Sequence, residues 1–183
     1  MCTRTKYLTM SIDFRSTVEK SFAPVTAAHA LRLLREDSDR FGSEVVIGNM
    51  TTALRFRLEP REGLFVSLLR LHDSGIPSRD LDDRMRDPIN GFDVDDLIQL
   101  RAPRCAVSSK APLGDEALQA ALRGYAFFLS ENGQDILSGD FTVFSDLARC
   151  VAMRIRHSQR EGYSLGPDSL RFLEAADLLE GSD

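Results

Sequence analysis

A change of hydrophobic period near residue 44 constrains this chain more than any other feature. Upstream, Phe14, Val18, Phe22 and Val25 recur at helical spacing and would line one face of an opening helix. Downstream, Glu44 to Gly48 is short and β-branched. Thr52 to Glu59 then alternates strictly, with Leu54, Phe56 and Leu58 on one side and Ala53, Arg55, Arg57 and Glu59 on the other. A helix repeats its faces every ~3.6 residues and cannot hold a period of two, so this stretch reads as a half-buried strand. Pro60-Arg-Glu-Gly63 supplies a turn, with the proline early and the glycine late. Leu64 to Leu71 follows, apolar on both sides. These runs predict an antiparallel meander with one face covered by helices, because Leu64 to Leu71 has too little polar surface to meet water on either side.

The remaining elements are placed around that meander. Proline in a helix interior costs about 3 kcal/mol, so the opening helix should kink at Pro24 or give way to a second helix with Pro24 in its first turn. His29 to Arg35 admits more helix or a short strand, and strand is the preferred reading. Asp93 is read as the cap of a short helix with Val94, Leu97 and Ile98 inward. Residues 101–114 read as a mobile loop joining two halves. Asp115 is read as the cap of a stronger helix, with Leu118, Ala121, Leu122, Tyr125, Phe128 and Leu129 on one stripe and a break at Asn132-Gly133. After a turn through Ile136 and Leu137, Asp140 should open a helix burying Phe144, Leu147, Ala148, Val151 and Ile155. A last helix from Asp168 offers Phe172, Ala175, Ala176 and Leu179. The expected fold is α+β: a three- to four-stranded antiparallel meander packed against several helices, with a helical C-terminal half. It should form one domain over residues 11–183 behind a disordered stretch, 1–10.

This layout, together with Tyr125-Ala-Phe-Phe-Leu129 and Ile136-Leu-Ser-Gly-Asp-Phe141, resembles uncharacterised small bacterial α+β families over about residues 11–157. The resemblance implies a fold and carries no site residues with it. Some proteins of similar size and layout look like toxin-immunity proteins.

Composition removes several function classes. With 183 residues, 43% hydrophobic and 28% charged, the chain is long enough to bury about 70% of its unfolded surface without disulfides or a structural metal. No apolar run approaches the ~20 residues of a membrane span, and no secretory leader is read at the start, so a cytoplasmic protein is expected. Cys2, Cys105 and Cys150 form neither a paired framework nor a metal-ligand set, and Cys150 is read as a small core residue, Cys105 as a loop residue. A formal charge of −5 argues against nucleic acid as a partner. The bias to 20 arginines against Lys6, Lys20 and Lys110 reads as a mark of a GC-rich bacterial genome.

Charge placement supplies the candidate sites. Residues 73–96 hold eight aspartates against three arginines, including Asp82, Asp83 and Asp87. Their spacing fails the calcium-loop pattern: that loop needs glycine sixth and glutamate twelfth, and counted from Asp80 it ends on Gly91. His29, His72 and His157 lack the spacing of a zinc site, and no cofactor is called for. Arg149, Arg156 and Arg160 fall on one stripe of their helix, where they suit an acidic partner or a solvated surface. The expected function is a protein-binding module, possible in an immunity role, that presents the acidic segment 80–96 to a basic partner without catalysis. The alternatives are a small metal-dependent hydrolase using Asp82, Asp83 and His72, and a structural homo-oligomer held through Phe172 and Leu179.

Overall fold

The computed structural model describes residues 13–40, 42–72, 89–105, 107 and 114–180. Helix α1 runs Phe14–Ala28. Asp13 opens it by accepting from the Ser16 amide at 3.0 Å, and it buries the four residues of the predicted stripe. Pro24 neither ends nor restarts α1; it lies inside the helix on an exposed face, where its ring meets solvent instead of the core. Ala30, at φ 51°, turns the chain out of the helix and into the sheet.

The strands β1 Arg32–Asp39, β2 Gly42–Gly48, β3 Thr52–Glu59, β4 Gly63–Arg70 and β5 Gly91–Asp93 form an antiparallel sheet in chain order. The meander holds, with one strand more than expected, and the strand reading holds from Arg32, residues 30 and 31 being the connection to it. Three residues of β5 are too few to display a period. Gly63, at φ 103°, closes the β3–β4 turn in a conformation that a side chain disfavours.

Helices α2 Val94–Arg101, α3 Asp115–Asn132, α4 Gln134–Leu137, α5 Val143–Arg160 and α6 Pro167–Glu180 complete the fold. One core joins the inward residues of α1, α3, α4 and α5 to Val45, Ile47, Leu54, Phe56, Leu64, Val66 and Leu68 of the sheet. Phe22 meets Phe56 edge-on at 4.6 Å. Phe92 of β5 stands edge-on to Phe144 of α5 at 4.9 Å and to Phe172 of α6 at 6.2 Å, which ties the helical C-terminal half to the sheet edge.

The expectation of a polar second face on β3 needs correction. Ala53 is buried with Val46 and Leu69, Leu34 and Leu71 pack beside them, and Arg55 is buried too. An irregularity between Leu33 and Arg35 inserts one residue opposite β2. It lets Leu34 reach this second cluster while Arg35 donates to Glu44 at 2.7 Å. Further starts differ from expectation, among them that of α5, where Thr142 and not Asp140 holds the N-cap position. Asp93 sits at the N-cap position of α2, yet its carboxylate accepts from Ser67 Oγ at 3.0 Å across the β4–β5 pair and bonds no helix amide. Gly114, rather than Asp115, holds the N-cap position of α3, leaving Asp115 in the first turn where its charge suits the helix dipole.

One side chain joins three segments. Asn49 Nδ2 donates to the carbonyls of His29, at 3.3 Å, and Leu137, at 3.0 Å; its Oδ1 accepts from the amides of Thr51 and Thr52, both at 2.9 Å. The buried Thr52 hydroxyl adds a bond to the Ile136 carbonyl at 2.7 Å. The β2–β3 turn is thereby held to the end of α1 and to α4. Gly139, at φ 92°, lets the chain pass this point, where a Cβ would lie 2.8 Å from Thr51 Oγ1. Asn49→Ala should cost roughly 2–3 kcal/mol, since it strands several backbone groups at once. Urea unfolding checks this: the midpoint should fall while the slope stays unchanged.

Candidate functional site

At least eight described arginines are engaged with carboxylates, and several of those pairs connect elements. Arg15 bonds Glu19 at 2.9 Å within α1 and Glu36 of β1 at 3.2 Å. Glu44, nearly fully buried, lies between Arg35 at 2.7 Å and Arg55 at 3.8 Å. Arg101 at the end of α2 forms a two-point contact with Asp135 of α4, at 2.8 and 2.5 Å, and also donates to the Asn132 carbonyl. The Arg101 hydrogen bonds hold the Asp135 carboxyl below the usual carboxylate range, and the same contact raises the Arg101 guanidinium.

Of the sequence-predicted site residues, Arg149 and Arg156 fall into the same scheme. Asp82, Asp83 and Asp87 lie outside the described residues. The acids at the far end of that segment are described, and each has an internal contact. Asp93 accepts from Ser67, Asp95 accepts from the buried Tyr125 hydroxyl at 2.8 Å, and Asp96 pairs with Arg154 of α5 at 2.7 Å. Hydrogen bonding to Asp96 holds the Arg154 guanidinium above its ordinary value. On the α5 stripe, Arg149 pairs with Asp146 at 3.3 Å, Arg156 bonds Asp177 of α6, and Arg160 lies exposed in the last turn. The stripe helps to hold α6 and does not converge on a site. His72 Nε2 donates to Asn90 Oδ1 at 2.6 Å. Phe172 is committed to Phe92 of its own chain, and the Leu179 side chain lies outside what is described. Cys105 is exposed in a loop, and Cys150 is half-buried on α5 rather than in the core. No group of three or more His, Cys, Asp or Glu side chains among the described residues is arranged to hold a metal ion. No helix among them is long and apolar enough to cross a membrane.

A cavity of about 660 Å³ lies between α1 and α3. Thr17, Lys20, Ser21, Pro24 and Val25 form one wall; Gln119, Arg123, Ala126, Phe127 and Ser130 form the other. Buried Val25 and Ala126 provide an apolar floor, while Lys20, Arg123 and Phe127 stand exposed along the rim. No carboxylate is among the described residues that line the groove. Neither Lys20 nor Arg123 makes an ion pair with another described residue, in contrast to the arginines above. At 1.5 Å per residue the walls run for about 12 Å on α1 and about 16 Å on α3, two to three helical turns. The volume lies within the range of ligand sites.

Sequence reading missed this groove because it follows inward faces, whereas the groove is built from residues flanking two of them. One signal was available. Tyr125-Ala-Phe-Phe-Leu129 is five apolar residues in a row, and on a helix such a run wraps past a full turn, so one member must face outward. That member is Phe127, 69% exposed, one turn from Arg123.

Scanned against protein-family models, curated proteins and solved structures, the chain has no match in any of the three.

The Arg101–Asp135 contact has a consequence for pH. A carboxyl whose folded value is depressed contributes stability that is present above its unfolded value and lost as pH falls through the folded one. Asp135→Asn should therefore be less stable than the native chain at neutral pH, with the gap closing progressively below about pH 4. Urea unfolding of both proteins across an acid pH series measures it; a gap that stays constant would remove the carboxylate from the explanation.

Proposed function

We propose that this chain is a protein-binding module without catalytic activity, and that its working surface is the groove between α1 and α3, which takes an acidic segment of a partner. The observation that supports this reading is the pairing pattern. Arg15, Arg35, Arg101 and Arg154 are tied to carboxylates, while Lys20 and Arg123 share one groove with no acid among its described lining residues. Two cations on facing helices above an apolar floor suit a carboxylate or phosphate attached to something that covers the floor. A long nucleic acid suits it poorly. Such a polyanion needs a continuous positive stripe, whereas Glu19, Glu116 and Glu131 are close in sequence to the wall residues and the chain carries −5.

The acidic segment 73–96 remains the rival surface for a basic partner, and its sequence charge favours it. Three of its eight acids, Asp93, Asp95 and Asp96, have contacts inside the fold, which leaves residues 73–88 with five aspartates against three arginines.

The two surfaces separate in one experiment. A pool of short acidic peptides and its lysine-substituted counterpart would be titrated against the native chain, a Lys20→Glu/Arg123→Glu variant and an Asp82→Asn/Asp83→Asn/Asp87→Asn variant. The proposal expects acidic peptides to bind the native chain and the triple variant alike, and the charge-reversed groove to lose at least about tenfold, ~1.4 kcal/mol. Capture of the basic pool alone, abolished in the triple variant, would sink it in favour of the acidic surface.

A further inference from the structure

Pro24 has no amide hydrogen, so the carbonyl of Lys20, one turn earlier in α1, lacks the N–H that would close the helix bond there. Both residues line the groove. A helix interior normally closes each carbonyl in its own ladder; this one has no such bond from residue 24 and belongs to a residue that lines the groove. Two groove hydroxyls point the same way. Thr17 Oγ1 donates to the Asp13 carbonyl at 3.0 Å and Ser130 Oγ donates to the Phe127 carbonyl at 2.8 Å, so each has used its hydrogen and retains lone pairs for an incoming donor.

The groove therefore combines two cations, which call for an acid, with acceptors, which call for N–H groups. Inorganic phosphate or a simple carboxylate meets only the first demand. A polypeptide segment meets both, since every residue but proline carries an amide hydrogen. Phe127 adds an apolar rim one turn, about 6 Å, from Arg123. Resting on the reading of this groove as an acid-binding surface, we infer that its occupant is a peptide segment. Its acidic side chain lies between Lys20 and Arg123, a backbone N–H reaches the Lys20 carbonyl, and an apolar residue about one helical turn from the acid packs on Phe127. Pro24 acts here as a positioning residue: it leaves without a helix bond an acceptor that the amide of any other residue would occupy.

The discriminating variant is Pro24→Ala, which restores an amide hydrogen to the Lys20 carbonyl. It should raise the melting temperature, because a helix interior prefers alanine to proline. It should also weaken binding of the acceptor's ligand. Peptides would be selected from a randomised library on the immobilised native chain, and the best of them measured by fluorescence polarisation, intact and with each amide methylated in turn. Sodium phosphate would be measured as a competitor. The selected peptides should share an acid with an apolar neighbour one turn away. Pro24→Ala should lose about tenfold, methylation of one particular amide should cost the same, and the two changes together should cost no more than either alone. Phosphate should compete equally with both proteins. If Pro24→Ala binds as tightly as the native chain and the methylation series is flat, the carbonyl contact is overturned; loss in Lys20→Glu/Arg123→Glu would still uphold the acid-binding surface. Selected peptides with no shared acid would overturn both.

Discussion

The packing of α1 across the sheet is the contact on which the rest of the structure depends. Phe14, Val18, Phe22 and Val25 are all buried in the main core, and Phe22 stands edge-on to Phe56 in the middle of β3. Each such aromatic contributes about 1.5–3 kcal/mol by burial, with about 0.5–1.5 more from the edge-on contact. The same placement brings α1 alongside α3, and the groove between them exists only because both helices are seated on one core. Val25 belongs to both, buried in the core and lining the groove floor.

Charge in this protein connects elements more than it forms a reaction centre. Arg15 links α1 to β1, Arg101 links α2 to α4, Arg154 links α5 to α2, and Arg156 links α5 to α6. Exposed pairs of this kind contribute little stability, about 0–1 kcal/mol each, so their effect is on orientation. Glu44 differs because it is buried. With Arg35 and Arg55 around it, removal of either cation would leave a carboxylate poorly compensated in a dry environment. Against that background Lys20 and Arg123 stand out because they share one cleft without an ion pair to another described residue, and Pro24 weakens its own helix while lining the same cleft.

Much of the fold was legible because its periods are long and clean. The stripes of α1 and α3 are each carried by several residues and the structure follows them, while the period of β3 gave the strand but not the burial of its second face. Features depending on a single contact were not legible. The inserted residue at Leu34 changes which face of β1 meets the sheet, and only the register with Ile47 and Val46 reveals it. Arg55 reads as a solvent-facing residue until the buried Glu44 is seen 3.8 Å away on the neighbouring strand. Asp93 looked like a helix cap, but Ser67, 26 positions away, competes for its carboxylate. The candidate site was hardest to read. Lys20 and Arg123 are single charges about a hundred positions apart, whereas the dense clusters at 80–96 and 149–160 attract attention by composition. Density in sequence reports how many charges are near one another along the chain; it says nothing of how many find partners when the chain folds.

The claim at the centre is that an acidic ligand enters between α1 and α3 and not elsewhere. Side-chain nitrogen NMR of the native chain, recorded as an acidic peptide is added, tests it directly. The signals of Lys20 and Arg123 should move together in proportion to occupancy, while those of Arg149, Arg156 and Arg160 stay in place. Movement concentrated on the α5 arginines, with Lys20 and Arg123 unchanged, would contradict it.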